Sequence, residues 1–261
     1  MTDTATDLTH HKNQAIAEPN TILRGQVGSG LHGVTTGSDD RDEMGVCIEP
    51  PEYVLGLSKF EQWIYRTQPE GVRSGPGDLD LVIYSLRKWT RLAAAGNPTV
   101  LLLGFIPDNE LVLNNEFGQS LRDNMGMFLS RQAAAKFIGY CNSQLMQLRG
   151  EKSRKHTNRP ELIKKYGYDT KFAYHAVRLG VQGREYLTTG NITLPMPEPW
   201  RTYLTGMRNG EVEYAEALLR IQEQLDGLRR LEAEADLPDY PDMERINAWL
   251  IDQYEGWWAR G

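Results

Sequence analysis

Three carboxylates and one glycine–serine pair carry the spacing in this chain that could do chemistry. Gly28-Ser29 follows the apolar approach TILRGQV (21–27), and Asp39, Asp40 and Asp42 follow beyond a glycine- and threonine-rich turn. On an extended segment, residues two apart point to the same face. Asp40 and Asp42 would therefore stand side by side and repel each other unless a cation lies between them. Magnesium accepts one or two carboxylates and fills its octahedron with water and substrate phosphate. Gly28 and Ser29, just after a strand, could offer backbone N–H groups and a hydroxyl to that phosphate. A third carboxylate would complete a two-ion site, one ion activating a hydroxyl and the other steadying a leaving pyrophosphate. Asp80, on a short apolar segment of its own, is the candidate. Taken singly, these pieces have plainer readings: residues 28–46 as a solvated loop, and Asp80 as the N-cap of a following helix.

The elements that must position them are visible in outline. TILRGQV reads as a strand, and MGVCIEP (44–50) as a second, closed by Pro50-Pro51. GPGDLDLV (75–82) is a turn followed by a short apolar segment. From Ile83 the periodicity turns helical, until Gly96 stops it and Asn97-Pro98 opens a further short helix. Beyond about Gly118 strand signals nearly vanish. One long helical stretch there has Asp169 as its N-cap. In the last, Trp249, Trp257 and Trp258 are expected to pack on the body. The expected fold class is α+β: a small mixed sheet followed by a helical C-terminal half, with the boundary near Pro107 to Gly118. The first 20 residues are polar and lack periodicity, so they read as a disordered tail, and His10 and His11 within it are given no role.

Composition narrows the class. A chain of 261 residues with 40% hydrophobic and 25% charged residues suits a globular protein with a substantial core. It holds no apolar run near the roughly 20 residues that span a bilayer, and no secretory signal. Cys47 and Cys141, far apart and without nearby ligand spacing, fit neither a disulfide framework nor a structural zinc site, so the expected setting is the cytoplasm. A net charge of −6 argues against general DNA coating. Between Arg149 and Lys165, however, seven cations face only Glu151 and Glu161, which reads either as a basic face or as a solvated linker. Lys171, His175 and Arg178 share one helical face beside an apolar stripe, a pattern able to bind triphosphate or a nucleic-acid backbone. Lys88 is a further candidate phosphate contact, and His32 either touches the nucleotide or braces the Gly-Ser loop.

In their order, Gly28-Ser29, Asp40-x-Asp42 and Asp80 resemble the signature of the DNA polymerase β-like nucleotidyltransferase superfamily. With the blocks DLDLVIYSLRKW, GNPTVLLLGF, YDTKFAYHAVRLG and LTTGNITLP, the chain is similar to RlaP/YcgL-type predicted nucleotidyltransferases, which are linked with RNA repair. Arg41 and Glu43 depart from the apolar or small residues usual there, and Met44 replaces a common Arg. The resemblance implies a nucleotidyltransferase core at residues 21–112 and a helical acceptor-binding region at residues 113–261. It implies that Gly28 and Ser29 hold nucleotide phosphate, that Asp40 and Asp42 bind both of two Mg²⁺ ions (or Mn²⁺), and that Asp80 binds one and orients the attacking hydroxyl. The NTP would give up its NMP to an acceptor hydroxyl, with an RNA end, such as that of a broken tRNA, bound through the Arg149–Lys165 segment. Adenylylation of a protein partner, modification of a small molecule, and a non-catalytic nucleotide- or RNA-binding module remain as alternatives.

Overall fold

Strand pairing, more than any local signal, brings the distant acids together. The structure, a computed structural model, describes residues 3–37, 39–69, 71–151 and 159–260, the side chains of residues 3–9 excepted. The strands are β1 (Thr21–Val27), β2 (Arg41–Cys47), β3 (Gln62–Arg66), β4 (Leu79–Ser85) and β5 (Leu111–Asn114). They form a mixed sheet in the order β3-β4-β2-β1-β5. β2 runs parallel to β4, and the other neighbours are antiparallel. Val27 pairs with Asp42, Asp42 with Asp80, and Asp80 with Arg66, so four strands contribute to one row. Side chains in a row share a face of the sheet.

Two strand limits differ from the sequence reading. β2 begins at Arg41 instead of Met44 and ends at Cys47, which puts Asp42 inside the strand. β4 continues through Ser85, where helical periodicity had suggested a helix from Ile83. Residue-for-residue pairing of Val82–Ser85 with Met44–Cys47 overrides that periodicity. The N-cap of the next helix is consequently Ser85, whose hydroxyl accepts from the Lys88 N–H, and Asp80 is free of any capping role. The 113 boundary falls within β5, so the sheet extends past it.

The helices are α1 (Asp3–Ala17), α2 (Gly28–His32), α3 (Pro51–Val54), α4 (Leu86–Ala94), α5 (Pro98–Leu101), α6 (Glu116–Asp123), α7 (Gln132–Leu148), α8 (Pro160–Tyr166), α9 (Thr170–Thr189), α10 (Trp200–Arg208), α11 (Tyr214–Glu234) and α12 (Met243–Trp258). The expected disordered tail is instead largely α1. Its Ile16 and Ala17 pack with Cys47, Trp63, Leu81 and Ile83 on the sheet face away from the acid row. Burial of the Ile16 side chain contributes about 1.5–3 kcal/mol, and that of the Ala17 methyl about 0.8 kcal/mol. That gain comes from tertiary contact, which the polar composition of the segment does not reveal. On the opposite face, one core joins Ile22, Val46 and Trp89 to Phe137, Tyr186, Leu228 and Trp249 of the helical half. Helices α7, α9, α10 and α11 close a second core around Cys141, Ala176, Leu204 and Ile221.

Several punctuation signals are where the sequence placed them. The Asn97 side chain accepts from the N–H groups of Thr99 and Val100, and that of Asp169 from Lys171 and Phe172. The three late tryptophans lock α12 onto the body: Trp249 donates to Ser120, Trp257 to Asn20 and Trp258 to the Glu49 carbonyl.

Candidate active site

At the end of β1 the chain turns through Gly28, whose φ of +71° lies in the left-handed region that favours glycine. Conformation is only half of the requirement. A Cβ at Gly28 would stand 2.0 Å from Oδ2 of Asp42, so the backbone here makes room for that carboxylate. Asp42 shares its row with Asp80, and Asp40 approaches from just before β2. Ligand oxygens of the three, all half-buried, lie within 4.8 Å of one another.

Crowding has an electrostatic cost. Burial, and then the neighbouring charges of Asp40, Asp80 and Asp39, push the Asp42 carboxyl up to about 6 against the opposing pull of Lys171. An all-oxygen anionic set of this span suits a hard divalent cation, which would relieve the repulsion. One oxygen of Asp80 is engaged: Arg66 Nε and Ser74 Oγ both donate to Oδ1, each at 2.9 Å. Asp39 is committed elsewhere, accepting from Arg208 Nη2 and the Thr36 N–H at 2.6 Å each. Burial raises its pKa, but these donors more than offset that and leave it below the ordinary carboxylate range. The departures around the acid pair also find an explanation. Glu43, on the other face from Asp42, is buried and accepts from Arg24 and Arg41, each at 2.5 Å, so the extra charges neutralise one another.

Opposite the acids stands α9. Lys171, His175 and Arg178 line a cleft of about 550 Å³ together with Gly28, Ser29, Asp40, Asp42 and Asp80. Burial, followed by the cations Arg178 and Lys171, drives the His175 pKa well below its usual value, so the ring is neutral. Lys171 is held below the usual lysine range by burial and by Arg159 and Arg208. Arg178 donates to Gln182 at 2.8 Å and to His32 Nε2 at 3.0 Å. His32 thus braces α2 against α9, and burial and Arg178 keep its ring neutral. Beyond the acid row the cleft lining turns apolar, with Met44, Ile64 and Val82 in the next row on the same face of the sheet, and with Tyr84 and Leu102.

Lys88 is not brought to this cleft. It donates to Gln62 at 2.9 Å, pairs with Glu61 at 3.6 Å and sits over the Tyr84 ring. Of the basic segment, residues 152–158, and with them Lys152, Arg154 and Lys155, lie outside the described residues. Arg159 lines the cleft and pairs with Asp169 at 3.3 Å, whereas Lys164 and Lys165 are exposed on α8. Sequence reasoning passed over Arg66, Arg208 and Tyr174, which also line the cleft. The alternating aromatic and β-branched residues of QWIYR were a usable strand signal for Arg66. Nothing local marks Arg208, which reaches Asp39 across 169 residues.

Comparisons with families, with curated proteins and with solved structures each give matches. The family RlaP, described as the RNA repair pathway DNA polymerase beta family, matches residues 2–252. An uncharacterised 38.9 kDa protein from the nrdC–mobD intergenic region of enterobacteria phage T4 is 25% identical over 127 residues. That match covers 48% of this chain and 37% of the phage protein. A crystal structure of a nucleotidyltransferase-like protein from Exiguobacterium sibiricum 255-15 aligns over 88% of this chain and 73% of that one, at 12% identity and a TM-score of 0.30.

Proposed function

The chain belongs to the RlaP family, a nucleotidyltransferase family of the DNA polymerase β type, and from that premise we propose that its cleft transfers NMP from an NTP to a hydroxyl at an RNA end. The observation that carries this reading is the convergence of Asp40, Asp42 and Asp80 within 4.8 Å beside the glycine turn. In this proposal the carboxylates of Asp40, Asp42 and Asp80 would hold two divalent ions, Mg²⁺ or Mn²⁺. Such ions supply Lewis-acid neutralisation of phosphate charge when bound.

The protein's own residues then have separable tasks. Gly28 leaves room for the phosphate and for Asp42, while the Ser29 hydroxyl and the cations Lys171 and Arg178 take up triphosphate charge. Asp80 orients the acceptor hydroxyl. The acceptor oxygen bonds to the α-phosphorus, the bond from that phosphorus to the bridging oxygen breaks, and pyrophosphate leaves. The hydroxyl proton passes by way of Asp80 to water. Neutral His175 and His32 keep the wall polar without adding positive charge to it. Most of the rate advantage comes from positioning and preorganised charge.

The test is label transfer from each of the four α-labelled NTPs, with Mg²⁺, to total RNA, to protein and to small-molecule acceptors. Wild type should label RNA, and Asp42→Ala and Asp80→Ala should each abolish labelling. Undiminished transfer by both variants rejects the site. Label found only on protein or a small molecule rejects the RNA acceptor.

A further inference from the structure

Transfer needs two substrates to meet at the acids, and a second groove reaches them from the other side. A cavity of about 670 Å³ shares Asp40, Arg66, Asp80, Arg159, Lys171 and Arg208 with the first cleft. It then continues away between the β3–β4 connection and α8, where Arg73, Lys165, Tyr166 and Asn209 line only this second groove. Its walls carry six cations, Arg66, Arg73, Arg159, Lys165, Lys171 and Arg208, against the four carboxylates of Asp39, Asp40, Asp80 and Glu161. Any cation bound at Asp40 and Asp80 would tip that balance further toward positive.

On the basis of the nucleotidyl-transfer reading above, we infer that this second groove is the track of a single-stranded RNA acceptor, led over Tyr166 and between Arg73 and Lys165 to the acids. Two features separate it from a merely solvated face. Tyr166 is a placed ring: Gly210, at φ +77°, lies so close to one edge that a Cβ would come within 2.0 Å, and the exposed Lys165 Nζ stands over the ring at 4.7 Å, a flexible cation that a base and its phosphate would draw aside. Aromatic rings held this way serve as sequence-tolerant platforms for bases. Arg73 bridges the groove to Glu161 at 2.5 Å, with the two side chains 59% and 54% exposed. A pair that open is held weakly, so a phosphodiester can take the guanidinium from Glu161 at little cost. The apolar end of the first cleft suits a nucleobase, which leaves the more polar groove to the strand.

The test is titration of the full chain with a short fluorescent single-stranded RNA ending in a 3′ hydroxyl, over a range of salt, beside titration with an NTP and Mg²⁺. The Arg73→Ala/Lys165→Ala double variant should lower the salt slope by about 1.4, since a single-strand phosphate contact contributes about 0.7. Tyr166→Leu should weaken RNA binding by about five- to a hundredfold. NTP affinity should not change in either. Glu161→Gln, which frees Arg73, should tighten RNA binding several-fold, a gain that loss of structural support would not produce. Wild-type affinity and slope in the double variant, or a parallel loss of NTP affinity, would overturn the track. So would a wild type that binds NTP and transfers label but has no affinity for RNA. A wild type that binds RNA through these residues yet neither binds nor transfers nucleotide would instead sink the nucleotidyl-transfer reading.

Discussion

Replacing Gly28 by alanine asks whether the placement of the Asp42 carboxylate, beyond its charge, sets activity. At φ +71° a residue bearing a side chain loses about 1–2 kcal/mol. The larger effect is steric. The new Cβ would stand 2.0 Å from Asp42 Oδ2, where ordinary contact begins at 3.4 Å. Either the carboxylate withdraws by more than an ångström, or β1 shifts against β2 at the pair Val27 and Asp42. Misplacement on that scale costs on the order of 10²-fold in rate. Gly71→Ala is the control: its φ of +83° imposes the same backbone strain, but nothing lies within 4 Å of the added carbon. Label transfer from an α-labelled NTP, run beside thermal melting, separates the two effects. Both variants should melt a few degrees lower, and only Gly28→Ala should lose activity. A Gly28→Ala protein that keeps transfer within about threefold of wild type would refute the reasoning.

Three further outcomes follow from the same geometry. The raised pKa of Asp42 favours the folded state at low pH, and that contribution is lost as pH rises through about 6. Mg²⁺ needs the ionised form, so its stabilisation in a melting assay should grow between about pH 5 and pH 7; a shift independent of pH would count against Asp42 as a ligand. Arg66→Ala removes the charged one of the two donors on Asp80 Oδ1, leaving Ser74, and should raise apparent Mg²⁺ affinity, read by titration calorimetry, by at most about fivefold, because the pair is about a third exposed; a fall in affinity would show that Arg66 does not compete with the ion. Tyr254→Phe leaves the Arg87 N–H and buried Glu49 without their hydroxyl partner, which should cost about 1–3 kcal/mol and lower the melting point by roughly 2–12 °C.

How far the sequence discloses this molecule depends on the range of the interaction. Asn97, Asp169 and Gly96 are legible because caps and stops are satisfied within a few residues. The acid pair is legible because the two-residue period of a strand puts Asp40 and Asp42 on one side. Their meeting with Asp80 depends on parallel pairing of β2 with β4, and it was carried by family resemblance more than by any periodicity. Helix α1 was missed because its gain comes from the sheet face it covers, which the polar tail does not advertise. Lys88 looked available on paper, yet Gln62 and Glu61, carried in by the unanticipated β3, hold it away from the cleft. Arg208 needed the whole helical half to fold before it could reach Asp39.

The most direct test is a crystal of the protein grown with Mn²⁺ and a non-hydrolysable NTP, examined by anomalous scattering. The account predicts manganese peaks in contact with the carboxylate oxygens of Asp40, Asp42 and Asp80, beside the nucleotide's phosphates. Manganese at saturating concentration that binds elsewhere, or a nucleotide seated away from Gly28 and Ser29, would contradict it.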